Sequence, residues 1–285
     1  MNDDIILPED SNIYKAFQSA VDKRIVFFTG LSGVGKSLYI QQFSKMAAKA
    51  GRVVHLLQWD VTREAFQTKD VMTKYPEIDG VTHPMIRKAV GLWTRQGILN
   101  WHKEYSDEKH ILIGELPLIG NRLVEVVQQH DDDVEALLAS EQSQFFLPVP
   151  SESVREHIVG CRTNSINQPS HERESADAPP SVVNSNWQEI RDLAIRLGIS
   201  NMANINDAYD PKAYAGAYEF LLKNRHATTL LVDQILPTVG SVYELGVVET
   251  EIAAKEAQVA TIFTDIESKY TAEDVNDMIN NWYEI

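Results

Sequence analysis

Residues 30 to 37 read Gly-Leu-Ser-Gly-Val-Gly-Lys-Ser, an unbroken G-x-x-x-x-G-K-[ST] pattern. Such a run suits a grip on the phosphate tail of a nucleoside triphosphate. Gly30, Gly33 and Gly35 let the backbone curl with its N–H groups inward, where a side chain would crowd the phosphates. Leu31, Ser32, Val34 and Leu38 complete the cradle through their main chain. Lys36 can reach the terminal phosphates, and the Ser37 hydroxyl is placed to bind Mg²⁺. The helix expected to follow adds the partial positive charge of its N-terminus.

Further carboxylates and arginines fall where a second substrate would meet that loop. Asp60 follows a β-prone run, Gly51 to Trp59, and Glu115 closes another, His110 to Glu115. In open α/β sheets ligands bind beyond the carboxyl ends of the strands. Asp60 could therefore take the proton of an acceptor hydroxyl or orient it, and its plainer role is to cap a helix starting near Val61. Glu115 could meet Mg²⁺ through water, orient a nucleophile or hold a substrate. Arg122, seven residues on, could clamp the same substrate with its planar fork. Arg63 binds substrate or simply pairs with Asp60 or Glu64. Arg155 and Arg162 share one expected helix, and Arg173 lies in the polar segment beyond it; together they could bring positive charge to a transferring phosphoryl group. Asp233, ending a Leu-Leu-Val-Asp run, is a secondary metal position. The histidines have no spacing that would hold zinc.

These groups need a scaffold. Arg24 to Thr29 reads as a strand buried on both faces, and Ser37 to Ala50 as a helix stopped by Gly51. Ser11 or Asp10 caps a helix ahead of them. Helices are expected over Val61 to Asp70, His83 to Tyr105, Ile119 to Gln129, Val134 to Ser140, Ser151 to Cys161, Trp187 to Leu197 and Pro211 to Lys223, with a turn over Tyr75 to Gly80. Strands are expected over Gln144 to Val149, where Pro148 should stop pairing, over Ala227 to Asp233, and over Val259 to Phe263. Thr271 to Asp274 opens a last helix with a capping box. Thr163 to Asn186, rich in proline and serine, reads as a mobile loop or an insert. Strands alternating with helices indicate an α/β fold around a central parallel sheet.

The chain's 285 residues suffice for one large domain, and its 44% apolar and 24% charged content is ordinary for a globular protein. A net charge of −15 argues against a nucleic-acid binder and against docking on anionic membranes. Cys161 is the only cysteine, so no internal disulfide is available, which fits a cytoplasmic setting. The N-terminal residues lack a signal peptide's basic patch and apolar run, and no stretch reaches the length of a membrane span.

On these residues the chain resembles the P-loop small-molecule and nucleotide kinases, the superfamily of nucleoside, nucleotide, shikimate and adenylylsulfate kinases. The resemblance is carried by GLSGVGKS, by Asp60 ending strand two, by Glu115 to Arg122 after strand three and by the arginine-bearing segment after strand four. It covers about residues 20 to 250, and the loop is its specific part. It implies a P-loop NTPase-like parallel sheet flanked by helices on both faces, in a single domain over residues 1–285 with a mobile lid or loop at 155–186. It further implies ATP and Mg²⁺ as cofactors and a small-molecule acceptor as partner, with Asp60 handling the acceptor hydroxyl and arginines on the lid. No Asp-Arg-Ser or Asp-Arg-Tyr signature follows strand three, and the lid has no zinc cysteines, so the subfamily stays unnamed. The alternative is a P-loop ATPase acting as a switch or regulatory module. No Asn-Lys-x-Asp motif supports a GTPase, and Leu-Ile-Gly-Glu115 lacks the Asp of a motor ATPase. A homodimer is left open.

Overall fold

The computed structural model describes residues 5–78, 81–201, 208–238 and 240–285. Its centre is a six-stranded, all-parallel sheet: β1 (Ile25–Thr29), β2 (Val53–Leu57), β3 (His110–Leu116), β4 (Ser143–Pro150), β5 (Ala227–Val232) and β6 (Glu249–Glu251). The spatial order is β5-β4-β1-β3-β2-β6, with β1 central. From β1 the chain moves out to β2 on one side, and from β3 it crosses to β4 on the other. The carboxyl end of β1 therefore lies at a switch in strand order, where α/β sheets open a crevice.

Every residue of β1 is buried, because helices cover both faces. Val26 and Phe28 point into one layer with Phe17 of α1 (Asn12–Ala20) and with Ile40 and Phe43 of α2 (Lys36–Lys49). Ile25 and Phe27 point the other way, into a larger layer with Ile86, Val90 and Trp93 of α5 (Pro84–Glu104). The short α3 (Trp59–Glu64) and α4 (Lys69–Lys74) connect β2 to α5. After β3 come α6 (Glu135–Leu138), and after β4 α7 (Glu152–Asn167), α8 (Pro180–Arg196) and α9 (Pro211–Leu221). The chain closes with α10 (Glu256–Lys269) and α11 (Ala272–Asn280). Among the described residues no helix is long and apolar enough to cross a membrane.

Local signals account for several ends. Ser11 caps α1 by accepting from Tyr14 N–H. Gly51, in the left-handed conformation, ends α2. Thr271 and Asp274 form the expected capping box of α11.

Elsewhere the structure departs from the expectations. Pro148 does not stop β4: the pairing with β5 runs to Pro150 against Val232. Phe145 N–H donates to His226 on the β5 side, so the alternating nitrogens of Pro148 and Pro150 face the β1 side, where β1 pairing has ended at Phe146. Val259–Phe263 belongs to helix α10, because Val259, Phe263 and Ile266 fall on one helical face and are buried against the core. The helix expected over 119–129 is a loop with one 3₁₀ turn, Val124–Val126. Strand β6 has no sequence signal: its three residues, Glu-Thr-Glu, are too few and too charged to read as a strand. The segment 163–186 is not one long loop: α7 runs on to Asn167, a 3₁₀ turn spans Glu172–Ala176, and α8 begins at Pro180. Proline in the first helical turn starts α8, and buried Val183 and Trp187 anchor it. Asp79 and Gly80 of the expected turn lie outside the described residues.

Candidate functional site

The Gly30–Gly35 loop joins β1 to α2, with Gly30, Gly33 and Gly35 all at positive φ. A Cβ on Gly30 would sit 2.2 Å from the Tyr214 hydroxyl, which donates to Pro148 O, so a side chain is excluded there. Leu31 and Val34 are buried in the core and pin the loop from below, leaving only their main chain for a ligand. Over the loop lie α7 and α8: a Cβ on Gly33 would come within 3.2 Å of Val159 and 3.5 Å of Val183. Asn186 reaches Ser32 Oγ at 3.5 Å.

Lys36, at the first position of α2, crosses the loop mouth. Its ammonium donates to Gly30 O and Leu31 O, each at 2.8 Å, and lies 3.3 Å from Glu115 Oε1. Burial pulls its pKa down, and Glu115 opposes that. The register brings these groups together: Phe28 is paired with Glu115 and Thr29 with Leu116, so β3 delivers its carboxylate beside the start of the loop. Arg162 of α7 is within electrostatic range of Lys36, and it pairs with Asp177 at 3.7 Å and donates to Ala178 O.

Asp60 does not end β2. It sits in the first turn of α3, whose N-cap is Gln58, so the side chain of Asp60 is not that cap either. Its side chain is 80% accessible, yet it lies within electrostatic range of several charged groups. The surrounding protein and the Glu115 charge push its carboxyl up, and Arg63, Arg122 and Arg173 oppose them. Arg63 lies 3.6 Å from both Asp60 and Glu77. Arg122 is half-buried within range of Asp60, Glu189 and Glu115. Asp60, Glu115, Arg63 and Arg122 thus share one side of the loop.

The other two arginines are engaged by protein partners. Arg155, buried, lays its guanidinium 4.5 Å over the Tyr209 ring and reaches Val183 O, a packing role in place of the phosphate role expected for it. Arg173 donates to Gln58 and to Glu251, each at 2.6 Å, strapping the 3₁₀ turn to the far edge of the sheet. Asp233 is exposed beyond β5, on the side of β4 away from β1.

Beside Ser37 a cavity of about 150 Å³ is lined by Gln58, Glu115, Arg173, Tyr243 and Glu251. Tyr243 donates to Asp177 at 2.7 Å, and burial followed by that carboxylate pushes its phenol pKa up. Nothing in the local sequence marks Tyr243, Glu251, Arg87 or Glu189 as neighbours of the loop; they arrive by chain folding. Of the residues lining this cavity, Ser37, Glu115 and Arg173 carry a readable sequence signal.

No family model, no curated protein and no solved structure matches this chain.

Proposed function

We propose that the chain is an ATP-dependent phosphotransferase of the P-loop kinase type, moving the γ-phosphoryl group to a hydroxyl or phosphate of a small molecule in the cytoplasm. The observation that carries this reading is the facing pair of Lys36, set across the glycine loop, and Glu115 at the end of β3, with Asp60 and Arg122 on the same side. Loop N–H groups and Lys36 would hold the triphosphate, and Lys36 would exchange its carbonyl partners for phosphate oxygens. Asp60, its pKa raised by its surroundings and by Glu115, would take the acceptor's proton. Arg162, freed from Asp177, would meet charge on the transferring group. Because α7 and α8 lie on the loop, the 155–186 segment would serve as the lid that keeps water out during transfer.

Mg²⁺ suits the oxygens present. The Ser37 hydroxyl and the Glu115 carboxylate border one polar cavity, and hard oxygen donors are what this cation takes. Among the described residues no cluster of three acidic, histidine or cysteine side chains could hold a metal by itself, so the triphosphate and water would supply the other ligands. When bound, the cation would neutralise phosphate charge.

Acceptor-dependent release of ADP, screened with pooled nucleosides, nucleotides and sugars, tests the reading. Turnover that requires an acceptor and vanishes in Lys36→Ala supports it. ATP turnover indifferent to every acceptor would favour the switch ATPase, and absence of ATP binding by calorimetry would overturn both.

A further inference from the structure

On the acceptor side of the loop, Arg87 and Arg122 lie within range of carboxylates with which they form no ion pair. Arg122 leaves β3 on a loop in which Leu118, Gly120, Asn121 and Leu123 are all left-handed. For leucine this conformation costs energy and persists only when the surroundings enforce it. They do: Leu118 and Arg122 exchange main-chain hydrogen bonds of 3.0 Å, and Asn121 donates to Glu125, which is fully buried and paired with Lys88 at 2.9 Å. From α5, Arg87 donates through Nη1 to Gly120 O at 2.7 Å, and its Nε is buried with no partner. The Nε of Arg63 is likewise buried and unpartnered.

Glu189 of α8 is in electrostatic range of both Arg87 and Arg122, and burial pushes its carboxyl up. Among the described residues it closes an ion pair with neither, and neither arginine closes one with any other carboxylate. Two half-buried guanidinium groups within range of each other, fixed by a strained loop and a helix, form an arrangement that an oxyanion would relieve.

We propose, on the premise of the phosphotransferase reading above, that the acceptor carries an anionic group — phosphate, sulfate or carboxylate — held between Arg87 and Arg122, with Glu189 accepting a hydrogen bond from a donor on the same molecule. The strained loop aims Arg122, and Asn121, Glu125 and Lys88 are positioning residues for it. Arg122 is within range of Asp60, so an anion held there lets the acceptor hydroxyl lie toward that carboxylate. Neutral nucleosides and free sugars would leave two guanidinium groups unmatched and bind poorly.

Matched acceptors test this directly: a nucleoside against its monophosphate, a sugar against its phosphate, a simple alcohol against a hydroxy acid. The anionic member of a pair is expected to drive ADP release and the neutral one not. Arg87→Gln and Arg122→Gln are each expected to raise the acceptor KM about tenfold to a hundredfold, the loss of a charged hydrogen bond, while the Kd of a non-hydrolysable ATP analogue stays within about twofold. Arg122→Lys, which keeps the charge and loses the fork, should also raise KM, and it replaces the glutamine variant if that fails to fold by circular dichroism.

A second readout needs no turnover. Inorganic phosphate titrated into the Lys36→Ala chain should raise its melting temperature, and adding both Arg→Gln changes should abolish that rise. A neutral acceptor used as well as its anionic partner, an unmoved KM, or equal phosphate stabilisation of both chains would each overturn the inference. The phosphate arm decides it even if wild type fails to bind the ATP analogue, an outcome that would sink the phosphotransferase reading alone.

Discussion

Two sets of arginines divide this molecule. The framework set is heavily engaged: Arg24, whose Nε alone lacks a partner, donates to the carbonyls of Asp107, His110 and Tyr105, and Arg52 to those of Val21, Lys23, Lys109 and His110. Arg225 meets three carbonyls and Glu135, and Arg95 meets two carbonyls, Asp132 and Glu135. The set around the glycine loop is open: Arg87 has one carbonyl, Arg63 has carboxylates at 3.6 Å, and Arg122 is bordered by charges it does not touch. A guanidinium whose donors are all spent on the fold has nothing left for a ligand. The number of terminal guanidinium donors already spent on the fold, more than exposure, separates structural arginines from candidates for binding.

The sharpest way to break this division is Arg225→Ala. Its side chain is fully buried, and its loss takes a donor from three carbonyls and leaves Glu135 ion-paired with Arg95 alone, so destabilisation of about 3–5 kcal/mol is expected in urea unfolding. A loss under ~1 kcal/mol would void the distinction.

On the open side, Lys36→Ala should lower turnover by roughly 10²–10³ with melting temperature nearly kept, since one preorganised charge contact to the transferring group is removed. Asp60→Asn should cost about 10² in transfer and leave the affinity for an ATP analogue intact. Calorimetry beside initial rates checks both, and normal transfer by Asp60→Asn would remove Asp60 from the chemistry.

A smaller effect concerns the amino end of the sheet. His55 is buried, its Nε2 lies 2.9 Å from His110 Nδ1, and burial, with help from His110 and Arg24, pulls its pKa down to about 4. The unfolded chain binds this proton near pH 6.5, so stability is full above that value, falls as pH drops toward 4 and levels below it. The loss is on the order of 2–3 kcal/mol for a shift of that size. Urea midpoints of wild type and His55→Gln at pH 7.5 and 4.5 isolate the contribution, and parallel pH profiles would refute it.

The smallest effect is Arg173→Ala. Its pair with Glu251 is partly exposed, so global stability should change by under about 1 kcal/mol. Hydrogen exchange over residues 171–177 should nevertheless quicken, because the strap to Gln58 and Glu251 is cut. Unchanged exchange would show that the Glu174–Ser241 and Asp177–Tyr243 bonds hold the segment by themselves.

What could be read without the fold was local. The glycines at 30, 33 and 35, the apolar strand before them and the helix after them are contiguous, and each signal concerns neighbours in the chain. The same holds for the caps at Ser11 and Thr271 and for Glu115 closing an apolar run. The errors came where local pattern and tertiary setting disagree. Val259–Phe263 has strand-like composition, and it is a helix because one face finds a core. The 119–129 run looks helical, and the buried Lys88–Glu125–Asn121 contacts hold its first part in left-handed turns instead.

The sequence by itself therefore determined the phosphate-loop pattern, the α/β alternation and the residue types available for transfer. Tertiary structure alone decided which arginines are free: Arg155 stacked on Tyr209, Arg173 tied to Glu251, Arg87 and Glu189 brought beside Arg122. The physical reason is that a cation's availability depends on whether its donors are satisfied, and its acceptors come from carbonyls and carboxylates far along the chain, which only the packed fold brings into range.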